Sequence, residues 1–333
     1  MRHANIAFFV PHVGCPNKCS FCNQNTISGK VEIPRAQDVK KVLSEAFERM
    51  SESELEKSEI AFFGGSFTAI ERSYMIELLE AAATFVGKGK ISGIRVSTRP
   101  DAIDDEVLLL LKKYGVTAIE LGAQSMRDEV LCKNMRGHSA EDVVKASRLI
   151  KEYGFSLGLQ MMTGLYGDDD TGAIETANRI IALEPHTVRI YPTVVLKGTY
   201  LGELFEMGKY TPPALVDTVS LCAQLLDMFE ERNISVIRVG LHDQPEIKEN
   251  FLGGAYHPAL GELIFGERLY KKACSLFLEK NVSEGSVTIS VNPAIISQMI
   301  GQKKKNIERF KNDGYEVAVK GDKSLAFGEI KLI

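Results

Sequence analysis

The sequence predicts an α/β protein whose parallel strands are covered by helices, with a small α+β module at the C-terminal end. Three observations carry this expectation. Short apolar, β-branched runs alternate with longer amphipathic stretches up to about residue 245. The runs are nearly continuous in apolar residues, as strands covered on both faces are. Several amphipathic stretches end in glycine, which takes the left-handed conformation that closes a helix. A (β/α) barrel, a partial barrel and a doubly wound sheet all fit this order. In each of them the residues just after the strands build the active site.

In chain order the expected strands are IAFFVP, EIAFFGG, IRVST, AIELGAQS, FSLGLQMM, TVRIYPTVV and SVIRVGL. Between them AQDVKKVLSEAFERM, ERSYMIELLEAAATFV, DDEVLLLLKKYG and SAEDVVKASRLIKEYG have helical periodicity. The pattern then changes. HDQPEIKENFLGGAYHPALG is rich in Gly, Pro and polar residues and reads as a connecting loop, and ELIFGERLYKKACSLFLEK reads as an amphipathic helix. A strand (SVTISV), two short helices broken near Gly301 and two strands (YEVAVKG, FGEIKLI) complete the chain. The expected division is a core over 1–245, a linker and connecting helix over 246–280, and an α+β module over 281–333.

Composition excludes several classes. The 333 residues carry 44% hydrophobic and 25% charged residues, ordinary for a soluble globular chain. A formal net charge of -4 makes any nucleic-acid site a local one. No apolar stretch approaches the roughly 20 residues that cross a bilayer, so no membrane association is expected. The opening run IAFFV is only five residues long and is cut by Pro11 and His12, short of the roughly 7–15 of a secretory signal. The scattered Cys132, Cys222 and Cys274 form no disulfide framework, which fits a reducing cytoplasm.

Three of the six cysteines, Cys15, Cys19 and Cys22, fall within CPNKCSFC, just after the first strand. On one loop, C-x-x-x-C-x-x-C can bring three thiolates to a common centre. A structural zinc site brings a second pair of ligands at a recognisable spacing, and none follows here, although His3 and His12 are near enough to supply a fourth. Iron–sulfur cubanes are normally held by four cysteines, and three leave one iron open to an outside ligand. Zinc or a redox thiol set is the alternative to such an incomplete cubane.

With Phe21 before the third cysteine, CPNKCSFC resembles the signature of the radical S-adenosylmethionine (SAM) superfamily. The resemblance implies a partial (β/α)6 barrel and a 4Fe-4S cluster on Cys15, Cys19 and Cys22. It also implies SAM chelated at the open iron, and an electron donor such as a flavodoxin or ferredoxin. The reduced cluster gives one electron to the sulfonium, releasing methionine and a 5′-deoxyadenosyl radical.

FFGGSF follows the second strand, where Gly64 and Gly65 let main-chain groups approach a ligand closely. By resemblance this is the glycine motif that contacts the methionine amino group, with Ser66 at its usually acidic third position. Arg99 ends the third strand beside Thr98, and Gln124 and Ser125 end the fourth. Arg136 and His138 precede a helix, and a guanidinium there suits the paired hydrogen bonds of a carboxylate such as that of SAM. Gln160 lies where the resemblance puts the SAM ribose. Tyr191 and Lys197 follow the sixth strand and are the candidate catalytic, substrate-facing residues.

GGSFTA, STRPDAI, ELGAQS, RGHS and RIYPTVVLKGTYLGELFEMGKY, in that order, resemble the radical-SAM domain of the catalytic subunit of Elongator. That family modifies the wobble uridine of tRNA. The similarity covers roughly residues 5–245. About 90 residues follow, fewer than Elongator's acetyltransferase domain and a linker would need, so no such domain is expected in them. QMIGQKKKNIERF resembles the helix–loop–helix core of a KH domain, with Ile300, Gly301 and Ile307 matching and Lys304 in the second glycine position. Lys303, Lys304 and Lys305 supply the local positive charge for phosphate contact. The expected function is radical-SAM modification of tRNA or other RNA. The alternatives are a radical-SAM enzyme on a small metabolite and a non-catalytic RNA-binding protein on the same scaffold.

Overall fold

The computed structural model describes residues 4–10, 15, 18–23, 26–27 and 33–333. His3 and His12 lie outside the described residues. Two compact units divide the chain: residues 1–213 with 229–255, and residues 214–228 with 256–333.

The first unit is built on one parallel sheet of seven strands. β1 (Ala4–Phe9), β2 (Ser58–Phe63), β3 (Gly93–Thr98), β4 (Val116–Gln124), β5 (Ser156–Thr163) and β6 (Thr187–Pro192) pair in chain order. A seventh strand, β8 (Ser235–Val239), adds to the edge beyond β6. Each crossover carries helix: α1 (Ala36–Arg49), α2 (Arg72–Ala83), α3 (Asp105–Lys113), α4 (Asp128–Lys133), α5 (Ala140–Glu152) and α6 (Asp170–Ile181). This is the half-barrel of a curled parallel sheet with helices.

Local chemistry starts and stops these helices. Asp104, Ser139 and Asp169 accept hydrogen bonds from the first free amides of α3, α5 and α6. Gly115 and Gly154, at φ +78° and +79°, follow α3 and α5, as expected of the glycines in KKYG and KEYG.

The strands are two-faced. Ile60 and Phe62, Ile94 and Val96, Ile119 and Leu121, Leu157 and Leu159, and Val188 and Ile190 are buried at alternate positions, the period of a strand with one apolar face. Between them stand Glu59, Arg95, Glu120, Gly158, Gln160, Arg189 and Tyr191 on the other face. The charged residues of this second set bond one another and Gln160 and Tyr191 line a cavity, so the apolar face packs under the helices.

Two segments differ from expectation. TVRIYPTVV breaks after Pro192, and β7 (Val194–Leu196) pairs antiparallel with β9 (Phe251–Gly254). The expected loop after residue 241 holds that strand and a helix, α9 (Pro245–Asn250), with Pro245 in its first turn, where the missing amide costs nothing. α7 (Tyr200–Glu206) follows β7 and is capped by Thr199.

The second unit contains most of α8 (Leu215–Glu230) and α10 (Leu260–Glu279). It continues with β10 (Gly285–Val291), α11 (Ile296–Ile300), α12 (Lys305–Asn312), β11 (Tyr315–Gly321) and β12 (Ile330–Leu332). β10 lies between a parallel β11 and an antiparallel β12. Leu269, Phe277, Ile289, Met299 and Phe310 form its core. Among the described residues no helix is long and apolar enough to cross a membrane.

Candidate active site

A cavity of about 620 Å³ opens at the C-terminal ends of the sheet strands. Cys15, Cys19, Cys22, Gly64, Gly65, Arg99, Gln124, Arg136, Gln160 and Tyr191 all line it. Ten of the positions singled out in sequence, scattered over 177 residues from Cys15 to Tyr191, therefore meet in one space.

None of the three cysteines is in a disulfide and all are half-buried, and the Cys22 amide donates to the Cys19 carbonyl at 3.1 Å, a tight turn within the motif. Burial and the neighbouring Cys19 push the Cys15 thiol up, while Arg99 and Arg136 oppose them. Among the described residues no three His, Cys, Asp or Glu side chains gather around a single point, as one bound ion would need. A cubane takes each thiolate at a different iron and needs no such point.

Arg136 reaches across from the loop before α5. Its Nη1 donates to Cys19 Sγ at 3.1 Å and its Nη2 to the Gly122 carbonyl at 2.5 Å, leaving a buried Nε with no hydrogen-bond partner. Gln124 is held at φ +66° where the β4–β5 register slips between Gly122 and Gln124. A left-handed non-glycine residue costs on the order of 1–2 kcal/mol. Its buried Oε1 is unpaired. Two orphaned polar atoms in one cavity wall are the mark of a site that a polar ligand completes.

Gly64 and Gly65 adopt φ +80° and +44°, and a Cβ on Gly64 would sit 3.3 Å from the Val10 carbonyl oxygen. Ser66 turns away from the cavity: it hydrogen-bonds Thr98 Oγ1 at 2.9 Å and accepts from the Arg99 amide at 3.2 Å, tying the glycine turn to the end of β3. Asp101 grips Arg99 through two bonds of 2.8 Å. His138 lies behind the wall, its Nε2 3.2 Å from the Ala123 carbonyl. Burial first, then the Arg136 charge, depress its pKa to about 4, so it is neutral near pH 7. Ser125 bonds Thr176 rather than facing the cavity. Lys197 is exposed and outside the cavity lining, and so are Lys303, Lys304 and Lys305.

Sequence reasoning missed a charge ladder on the inner face of the sheet. Arg189 donates to Glu120 at 2.7 and 3.0 Å, Arg95 to Glu120 at 3.2 Å, and Arg95 to Glu59 at 2.6 Å. All four are largely buried. Gly158 makes room: a Cβ there would lie 2.8 Å from Glu120 Cγ. The only signal in the sequence is a single charge inside an otherwise apolar strand, and that names no partner.

A parallel half-barrel with three clustered cysteines, paired glycines and an orphaned guanidinium nitrogen at its strand ends is the architecture of a radical-generating iron–sulfur protein. The profile of the Radical SAM superfamily matches residues 9–180, and that of the Radical_SAM C-terminal domain residues 185–270. The chain belongs to the radical SAM superfamily, whose cofactors are SAM and a 4Fe-4S cluster.

An uncharacterized protein of Methanocaldococcus jannaschii is 30% identical over 228 residues, 65% of this chain and 69% of that one. A tRNA uridine(34) acetyltransferase of Dehalococcoides mccartyi is 24% identical over 239 residues, 62% of this chain and 52% of that one. The solved archaeal Methanocaldococcus infernus Elp3 superposes with a TM-score of 0.62 at 20% identity, over 85% of this chain and 64% of that one. The resemblance to Elongator's catalytic subunit therefore holds in sequence and in fold. The chain spans about half the length of the tRNA uridine(34) acetyltransferase it matches.

Proposed function

We propose that the protein is a radical SAM enzyme that modifies RNA, with tRNA as the foremost candidate. One observation carries the reading: the three motif cysteines share a cavity with Arg136, bonded to Cys19, and with the unpaired Gln124 carbonyl. Cys15, Cys19 and Cys22 would hold the cluster. When bound and reduced, it supplies the electron that splits SAM into methionine and a 5′-deoxyadenosyl radical.

This chain's own residues bind, orient and exclude water. Arg136 keeps charge-assisted donors beside the cluster loop for the SAM carboxylate. The glycine turn offers backbone amides and carbonyls without a Cβ in the way. Gln124 and Gln160 present amides along one wall, and the neutral His138 adds no charge behind it. The Glu59–Arg95–Glu120–Arg189 ladder locks the strands that carry these groups, so their positions are set before a ligand arrives.

Relatives acting on tRNA support the substrate class. So does the loop between α11 and α12. Gly301, Lys303 and Lys304 all have positive φ, at +78°, +53° and +63°. Lys304 thus adopts the conformation that a glycine in its place would take, and it projects an exposed ammonium group. An electron donor such as a flavodoxin or ferredoxin and a cytoplasmic location complete the proposal. Mass spectrometry of tRNA nucleosides from a deletion strain and its parent tests it. A modified nucleoside missing from the deletion strain and restored by the wild-type gene is expected. Identical nucleoside profiles overturn the RNA reading.

A further inference from the structure

β6 and β8 are parallel neighbours whose register slips by one residue between Val188 and Arg189. Val188 faces Val236, but Arg189 then faces Arg238 rather than Ile237. Side chains alternate along a strand, so this one irregularity turns Arg238 to the face of Arg189 and Ile237 away. Ile237 is left exposed. The fold gives up apolar burial to set two arginines side by side.

Like charges directly opposite across strands destabilise a sheet. Arg189 is compensated by Glu120, but that carboxylate already serves Arg95. Among the described residues Arg238 has no carboxylate partner; its Nε donates to the Gly240 carbonyl at 2.8 Å. The pair stands beside the active-site cavity, which Arg189 and Tyr191 line from β6 and Leu241 and His242 from just beyond β8. The local field is positive. Burial and the Arg189 charge hold Arg238 below the usual guanidinium range, and burial with Arg238 depresses His242.

We propose that Arg238, with Arg189 beside it and His242 at the rim, forms a subsite for a phosphate group of the molecule modified in the cavity. The proposal rests on the RNA reading and deepens it. β8 is the edge strand beyond β6, so this subsite draws on residues other than the cysteines and Arg136, which line the same cavity. Phosphate fits better than carboxylate. One guanidinium fork satisfies both oxygens of a carboxylate, whereas a phosphate presents oxygens in several directions and bridges donors from two strands and a loop.

Binding of uridine 5′-monophosphate, uridine, inorganic phosphate and malonate to the full chain tests this by calorimetry, with melting curves in phosphate-free buffer. Wild type is expected to bind the nucleotide about tenfold or more tightly than the nucleoside, the worth of one charge-assisted contact. Arg238→Gln loses that preference and Arg238→Lys keeps part of it. Without phosphate, Arg238→Gln melts at or above the wild-type temperature because the repulsion is gone, and phosphate raises the melting temperature of wild type alone. Inorganic phosphate binding as tightly as the nucleotide overturns a nucleotide source, and malonate competing equally overturns phosphate. A preference that is absent in wild type, or that survives in Arg238→Gln, overturns the subsite, as does an Arg238→Gln protein that melts lower without phosphate. The assay needs neither cluster nor turnover, so its failure and a failure of the radical chemistry are read separately.

Discussion

Arg136 and Cys19, 117 positions apart, are joined by a hydrogen bond of 3.1 Å from guanidinium to sulfur. The same guanidinium holds the Gly122 carbonyl at the β4 irregularity that orients Gln124. One side chain thus ties the cysteine loop to the wall that would receive SAM. Arg136→Gln is expected to weaken SAM binding to the reconstituted protein by about 10–100-fold, the loss of a charged, paired contact. Arg136→Lys is expected to recover only part of it, because an ammonium cannot span both partners. Equilibrium dialysis with labelled SAM reads both.

Glu120 is the hinge of the charge ladder, since two buried guanidiniums share it. Glu120→Gln leaves the two guanidiniums with one carboxylate of the ladder, Glu59, which bonds Arg95. Denaturant unfolding is expected to show a loss of about 3–5 kcal/mol. Gly158→Ala presses a methyl group against Glu120 Cγ and is expected to cost about 1–3 kcal/mol. The double variant Gly158→Ala/Glu120→Gln should lose less than the sum, because displacing Glu120 and neutralising it weaken the same ion pairs.

His138 makes stability depend on acid. Its folded-state pKa, near 4, lies below its ordinary value of 6.5. Between those values the unfolded chain binds a proton that the folded chain refuses, so this contribution is full above pH 6.5 and is lost as pH falls toward 4. The loss approaches roughly 3 kcal/mol at the acid end. Denaturation midpoints from pH 7 to pH 4.5 should fall less steeply in His138→Gln than in wild type.

Lys304 holds a left-handed backbone at φ +63°. Lys304→Gly removes that strain and is expected to stabilise the chain by about 0.5–1 kcal/mol, net of the glycine's greater freedom when unfolded. The same change should weaken tRNA binding and lower its salt slope by about one. Stability and affinity moving in opposite directions would mark a residue kept for contact rather than for folding.

The cysteine triplet, the glycine turn and the strand–helix alternation were legible because each is local: a spacing, a missing Cβ, a periodicity. Glu120 and Arg189 were not, because a charge inside an apolar strand has no meaning until the sheet curls and places β4 and β6 around one space. The slip at Arg189 was equally hidden, since register is a property of two strands. Ser66 followed the motif in sequence, yet in the fold it bonds Thr98 and supports the turn instead of lining the cavity. Lys197 followed the sixth strand in sequence, but β7 carries it out to the surface.

The most direct test of the central claim is 5′-deoxyadenosine release by anaerobically reconstituted, chemically reduced protein given SAM. Wild type is expected to release 5′-deoxyadenosine and methionine in equal amounts, and Cys22→Ser none above background. Protein that carries its full complement of iron and still leaves SAM intact would contradict the account.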